Sequence, residues 1–244
     1  MLFKSEDLMI LGKYNHNGVF QGNRKGVTLM RSWLIYALIF TLVFTGGCSM
    51  KKEPDSKVPN TEAFQDTSTR ELLESSNEVK AGYYLFKSNT KEYNMFWPEN
   101  ATKQYYDNNG QNYERFIFEE SDEEKNYSNE ITTTFENRGE TDLLLNASLK
   151  VLSNYIGYDG EYREIKNNDK IIYYAKTEDL VQTDNNKVTF NLFFSYIKDR
   201  SSGKGLEYIY SVRCLDAKHK DCKINLENEE KRALMLMKNV EFID

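Results

Sequence analysis

The sequence predicts an α+β domain, an antiparallel β-sheet meander packed against two main helices. Three observations lead there. The chain holds 17 Tyr and 14 Phe, many of them in alternating runs, and aromatic residues at a period of two mark half-buried strands. Leu145, Leu149, Leu152 and Ile156 recur at helical spacing, which marks an amphipathic helix. Turn signals such as Asp107-Asn108-Asn109-Gly110 and Asp184-Asn185-Asn186 separate the strand-like runs, as hairpins require.

The elements follow in order. Tyr83–Phe86 and Glu92–Pro98 read as two strands, Pro98 ending the second because it cannot donate to a ladder. After the turn at Asp107–Gly110 comes the alternating run YERFIF, then Glu119–Lys125 (EESDEEK) as a solvated loop and Ile131–Phe135 as a further strand. The clearest helix spans Asp142–Ile156, with Thr141 or Asp142 as its cap and Gly157 ending it in the left-handed region. Three strands are expected next, at Arg163–Ile165, Ile171–Lys176 and Lys187–Asp199, the last long enough to cross a whole sheet. Gly203 and Gly205 turn the chain into GLEYIYSVRCL, its antiparallel neighbour. A second helix over Leu226–Lys238 with Ala233, Leu234 and Met237 inward, and a short strand carrying Val240 and Phe242, complete the domain.

This order of elements resembles the PsbP/Mog1-like α-β-α sandwich. An opening strand of tyrosine, alternating hydrophobics and proline is matched by Tyr93–Pro98, and a closing helix and strand by residues 226–242. The resemblance covers Gly82–Asp244 and implies an accessory or binding role, as that fold hosts mostly non-enzymatic proteins.

The N-terminal part carries the address. Trp33–Phe44 is apolar except for Thr41, too short to span a bilayer but suited to the core of a secretory signal. Arg31 precedes it and Thr45-Gly46-Gly47 follow it, immediately before Cys48. Small residues followed by Cys resemble the lipobox of bacterial lipoproteins, with Thr45 standing where Leu, Val or Ile is usual. The resemblance implies that Cys48 receives a diacylglyceryl group, and that the chain is held by palmitate-type acyl chains on the outer face of the cytoplasmic membrane. The alternatives are a plain secretory signal or an uncleaved anchor.

The expected organisation therefore has four parts. Residues 1–29 form an upstream segment preceding a true start at Met30, since Lys25-Gly26-Val27 can be encoded by a purine-rich ribosome-binding sequence. Residues 30–47 are the signal peptide, 48–80 a polar flexible tether, and 81–244 the globular domain. Removing residues 1–47 takes five Lys/Arg and two Asp/Glu from totals of 32 and 38, leaving a net charge of −9. An acidic chain without a basic cluster argues against a nucleic-acid partner.

Apart from Cys48, the cysteines are Cys214 and Cys222, seven residues apart in the interval between them. In an exported chain this pair reads as a disulfide closing a hairpin loop, worth about 2–3 kcal/mol by chain entropy. A metal site with His219 as third ligand is the rival, although the spacing matches no standard zinc pattern.

His219 is the sole histidine after Cys48 and sits among Lys218, Lys220 and Asp221, as a solvated loop residue would. No nucleophile elbow, phosphate-binding loop or zinc-protease motif occurs, and Glu119–Glu124 lacks the ligand order of a calcium loop. The sequence therefore names no catalytic residue, cofactor or metal ligand. It favours a non-catalytic lipoprotein that binds an envelope protein or wall component in a cell-surface process such as colony or biofilm development. A hydrolase using paired carboxylates, or a structural subunit of a membrane complex, are the alternatives.

Overall fold

Strand β8 (Lys187–Asp199) shows how the sequence builds two cores at once. Its residues alternate between faces. Phe193 and Ile197 enter one buried cluster, and Leu192, Phe194 and Tyr196 enter another. A strand buried on both faces lies in the middle of a sheet with both sides covered. The computed structural model, which describes residues 58–243 apart from 125, 138–141, 168, 183–186 and 216–223, bears this out.

The large sheet has seven antiparallel strands in the order β3-β4-β5-β9-β8-β7-β6. These are β3 (Thr102–Asn108), β4 (Tyr113–Asp122), β5 (Tyr127–Asn137), β6 (Arg163–Lys166), β7 (Lys170–Gln182), β8 and β9 (Lys204–Cys214). Two meanders, β3-β4-β5 and β6-β7-β8-β9, are joined where β5 pairs with β9 from Tyr127↔Cys214 to Asn137↔Lys204. Helix α3 (Asp142–Ile156) connects them, running from the middle of the sheet towards its far edge.

One face of the sheet is covered by α3. Its Leu145, Leu149, Leu152 and Ile156 pack on Ala175, Leu192, Phe194, Tyr196 and Ile209. Gly157 ends the helix at φ +76°, as expected. Tyr196 also explains Gly205, because a Cβ at residue 205 would come within 2.0 Å of the tyrosine Oη. The cap predicted at Thr141 or Asp142 and the turn at 184–186 lie outside the residues whose side chains are described.

The opposite face is covered by α4 (Leu226–Lys238) and a small sheet. That sheet is ordered β1-β2-β10, with β1 (Tyr83–Lys87), β2 (Tyr93–Pro98) and β10 (Glu241–Phe242) all antiparallel. The aromatic surplus of the composition fills the space between the sheets. Trp97 is fully buried, stacks on Phe118 at 4.3 Å between ring centroids and gives its indole N–H to Ala101 O at 2.9 Å. Phe86 meets Phe116 edge-on at 4.9 Å, and Tyr93 stacks on Phe135 at 5.2 Å. The arrangement is an α+β sandwich, helix on one face of a central sheet and helix with small sheet on the other.

Several boundaries differ from the sequence reading. The part of residues 48–80 that is described does not form a tether. Helices α1 (Glu62–Gln65) and α2 (Thr67–Arg70) fold there, with Ala63, Phe64 and Thr69 buried. The polar composition hid this because few residues do the packing. Phe64 meets Tyr84 edge-on at 4.7 Å, and Leu72 and Leu73 pack against the main core. Strand β4 also runs on through Glu119–Asp122, which sequence reading assigned to a loop. Its ladder to β5 continues from Glu119↔Glu130 to Asp122↔Tyr127, so backbone pairing overrides the local charge. In α4 the fully buried positions are Ala233, Leu236 and Met237, with Leu234 only partly buried.

Candidate functional site

The alternation of β4 continues past its apolar part. Glu114, Phe116, Phe118 and Glu120 share one face, so Glu120 is delivered to the side on which α4 lies. Asn225 caps α4, its side chain accepting from Asn228 N at 3.1 Å. Glu227 and Glu229 stand in the first turn, where the helix dipole favours acids. The helix start and the β4–β5 hairpin thus bring acids from two elements together around a cleft.

That cleft has a volume of about 780 Å³, and its lining includes Glu62, Glu120, Tyr127, Asn228, Glu229 and Arg232. Glu229 Oε2 accepts from Tyr127 Oη at 3.1 Å and also from Tyr210 Oη. Arg232 pairs with Glu120 at 2.5 Å and donates from Nε to Tyr83 Oη at 3.2 Å. Burial, reinforced by Glu229, pushes the Tyr127 and Tyr210 hydroxyls far above the usual phenol range, so both remain donors. Burial opposes the charge on Arg232, but the ion pair with Glu120 offsets it and the guanidinium stays protonated.

The groups available here are phenol and guanidinium donors and carboxylate acceptors. Glu120 and Glu229 are both engaged by fixed donors, and the further acids Glu62, Asp122 and Glu123 line the same space. Among the described lining residues Arg232 alone carries positive charge, against five acids. Among the described residues, no group of three or more His, Cys, Asp or Glu is arranged to hold a metal ion.

Of the residues singled out from sequence, Cys48 and Cys222 lie outside the described residues, as does His219. Cys214 ends β9 directly opposite Tyr127, next to the cleft. Ile224 and Asn225, which follow the cysteine loop, line that cleft as well. Sequence reasoning did not find Glu120, Tyr127, Glu229 or Arg232. The available signal was the phase of β4, which places Glu120 on the face of Phe116 and Phe118.

A family model described as "Putative lipoprotein YvcA" matches residues 59–241. The chain belongs to this family. A curated relative of that description, from Bacillus subtilis (strain 168), is 26% identical over 242 residues, covering 88% of this chain and 98% of the relative. The family's lipoprotein character agrees with the lipobox resemblance at Cys48, and the Mog1 element of the family model's name agrees with the sandwich. The match begins at residue 59, close to the first described residues and well before residue 81.

Proposed function

We propose that this protein is a lipoprotein anchored through Cys48 to the outer face of the cell membrane. In this reading its domain binds another envelope protein or a wall component without transforming it. The observation that carries the anchor is Cys48 behind small residues and a short apolar run, in a chain of a lipoprotein family. Two acyl chains, at about 0.8 kcal/mol per buried CH₂, hold a protein far more firmly than one.

The binding role rests on the cleft beneath α4. Its carboxylates serve as hydrogen-bond and ion-pair acceptors, and its excess of acids favours basic groups on the partner. A Cys214–Cys222 disulfide would restrain the loop that leads into the cleft wall at Ile224. The process served is one at the cell surface, with colony or biofilm development the leading example.

Photo-crosslinking tests the binding role. A photoreactive residue at Asn228, exposed on the cleft rim, should capture a discrete partner in the native membrane. The same group at Val151, exposed on α3, should not. Equal capture from both positions would remove the cleft from the account.

A further inference from the structure

Glu114 is a buried carboxyl with no use in the cleft. It is fully inaccessible, on β4, beneath the loop 88–92 that joins β1 to β2. Its Oε1 accepts from Asn89 N at 2.9 Å, while Oε2 has no hydrogen-bond partner. Around it stand Asn89 and Thr90 from the loop, Tyr93 from β2, Tyr106 from β3, and Phe135 opposite on β5. The main groups acting on the carboxyl are thus neutral. Tyr93 Oη and Thr133 Oγ1 are likewise buried without a partner. Of the charged residues at the loop, Glu92 pairs with Lys204 at 2.9 Å and Lys91 is exposed.

The loop over Glu114 is itself a junction. Ser88 Oγ accepts from Glu92 N at 3.1 Å and Tyr93 N at 3.2 Å, and Lys91 takes the left-handed region at φ +64°. Glu92 O accepts from Ile243 N at 2.8 Å, and Lys204 Nζ donates to Ile243 O. Strand β10 pairs with β2 immediately beside it, Phe242 opposite Tyr93. Whatever loosens the 88–92 loop therefore loosens the seat of the C-terminal strand.

We propose that Glu114 is a proton-operated clasp, closing the 88–92 loop and the C-terminal strand onto the large sheet when protonated and relaxing them when ionised. A neutral carboxyl suits a pocket of hydroxyls and aromatic rings. A carboxylate there has the Asn89 N–H but, among the described residues, no cation paired with it. Burial pushes the Glu114 carboxyl above its ordinary range, outweighing the lowering influence of the Asn89 N–H and of the Tyr93 and Tyr106 hydroxyls beside it. A folded-state value above the unfolded one gives a contribution complete below the unfolded pKa and lost as pH rises through the folded one.

Hydrogen exchange by mass spectrometry on the full chain in detergent tests this, with protection corrected for intrinsic exchange and followed from pH 4 to pH 8. Protection of peptides covering 88–93 and 240–243 should fall about tenfold for each unit by which Glu114 is shifted, while α3 peptides stay level. Glu114→Gln should abolish the dependence. Tyr93→Phe, which keeps the ring but removes a hydroxyl beside the carboxyl, should move the midpoint higher. Flat protection in the wild type, or the same pH profile in wild type and Glu114→Gln, would overturn the proposal. Should Glu114→Gln fail to fold, the wild-type and Tyr93→Phe profiles decide the matter alone.

Discussion

At the residue scale, the cleft is held open by interactions that a single substitution can remove. Arg232→Ala leaves Glu120 without its ion-pair partner and Tyr83 without a donor. A charge-assisted hydrogen bond is worth about 1.5–3 kcal/mol, and urea unfolding should show a loss of that size. Asp66 gives a pH dependence of the opposite sign to that of Glu114. Its side chain accepts from Thr69 N, Thr69 Oγ1 and Ser68 Oγ, each at 2.7 Å, and Thr69 then accepts from Lys103 N. The Thr69 hydrogen bond, with Ser68 next, holds the Asp66 carboxyl below its ordinary value. That stabilisation is present above the unfolded pKa and is lost as pH falls through the folded one. Asp66→Ala should therefore cost about 1 kcal/mol at pH 7, and the gap should close in acid thermal melts.

At the element scale, helices and long strands were legible because their periods are strong. The stripe Leu145, Leu149, Leu152 and Ile156 defines α3 from sequence and reappears as one wall of a buried cluster. Leu152 is fully buried, so Leu152→Ala should lower stability by about 2–5 kcal/mol in a denaturant titration. What escaped was short or polar. Helices α1 and α2 have four residues each, too few for a period. Their docking depends on Phe64 finding Tyr84, a contact that composition does not reveal. A chain shortened to begin at residue 81 should consequently melt well below one that begins at residue 58. Equal melting temperatures would return residues 58–80 to the status of a tether. The end of β4 was missed for a related reason. Its acids resemble a loop by local charge, and only pairing with β5 makes them strand.

At the scale of the whole molecule, the sequence revealed the fold class through element order, and the residues around Cys48 resemble a lipobox, in keeping with the lipoprotein family. The cleft was not visible because it joins residues far apart in the chain. Glu120 and Arg232 are 112 positions apart, and Tyr127 and Glu229 are 102 apart. No local pattern encodes such a meeting. It arises from β5 pairing with β9 and from α4 returning across the sheet. The central claim, however, concerns attachment. Metabolic labelling with a radioactive fatty acid, comparing wild type with Cys48→Ala in the native host, tests it most directly. Label in the wild type and none in Cys48→Ala, with the variant lost from the membrane fraction, is the predicted result. Equal labelling of the two, or an unlabelled wild type, would contradict the account.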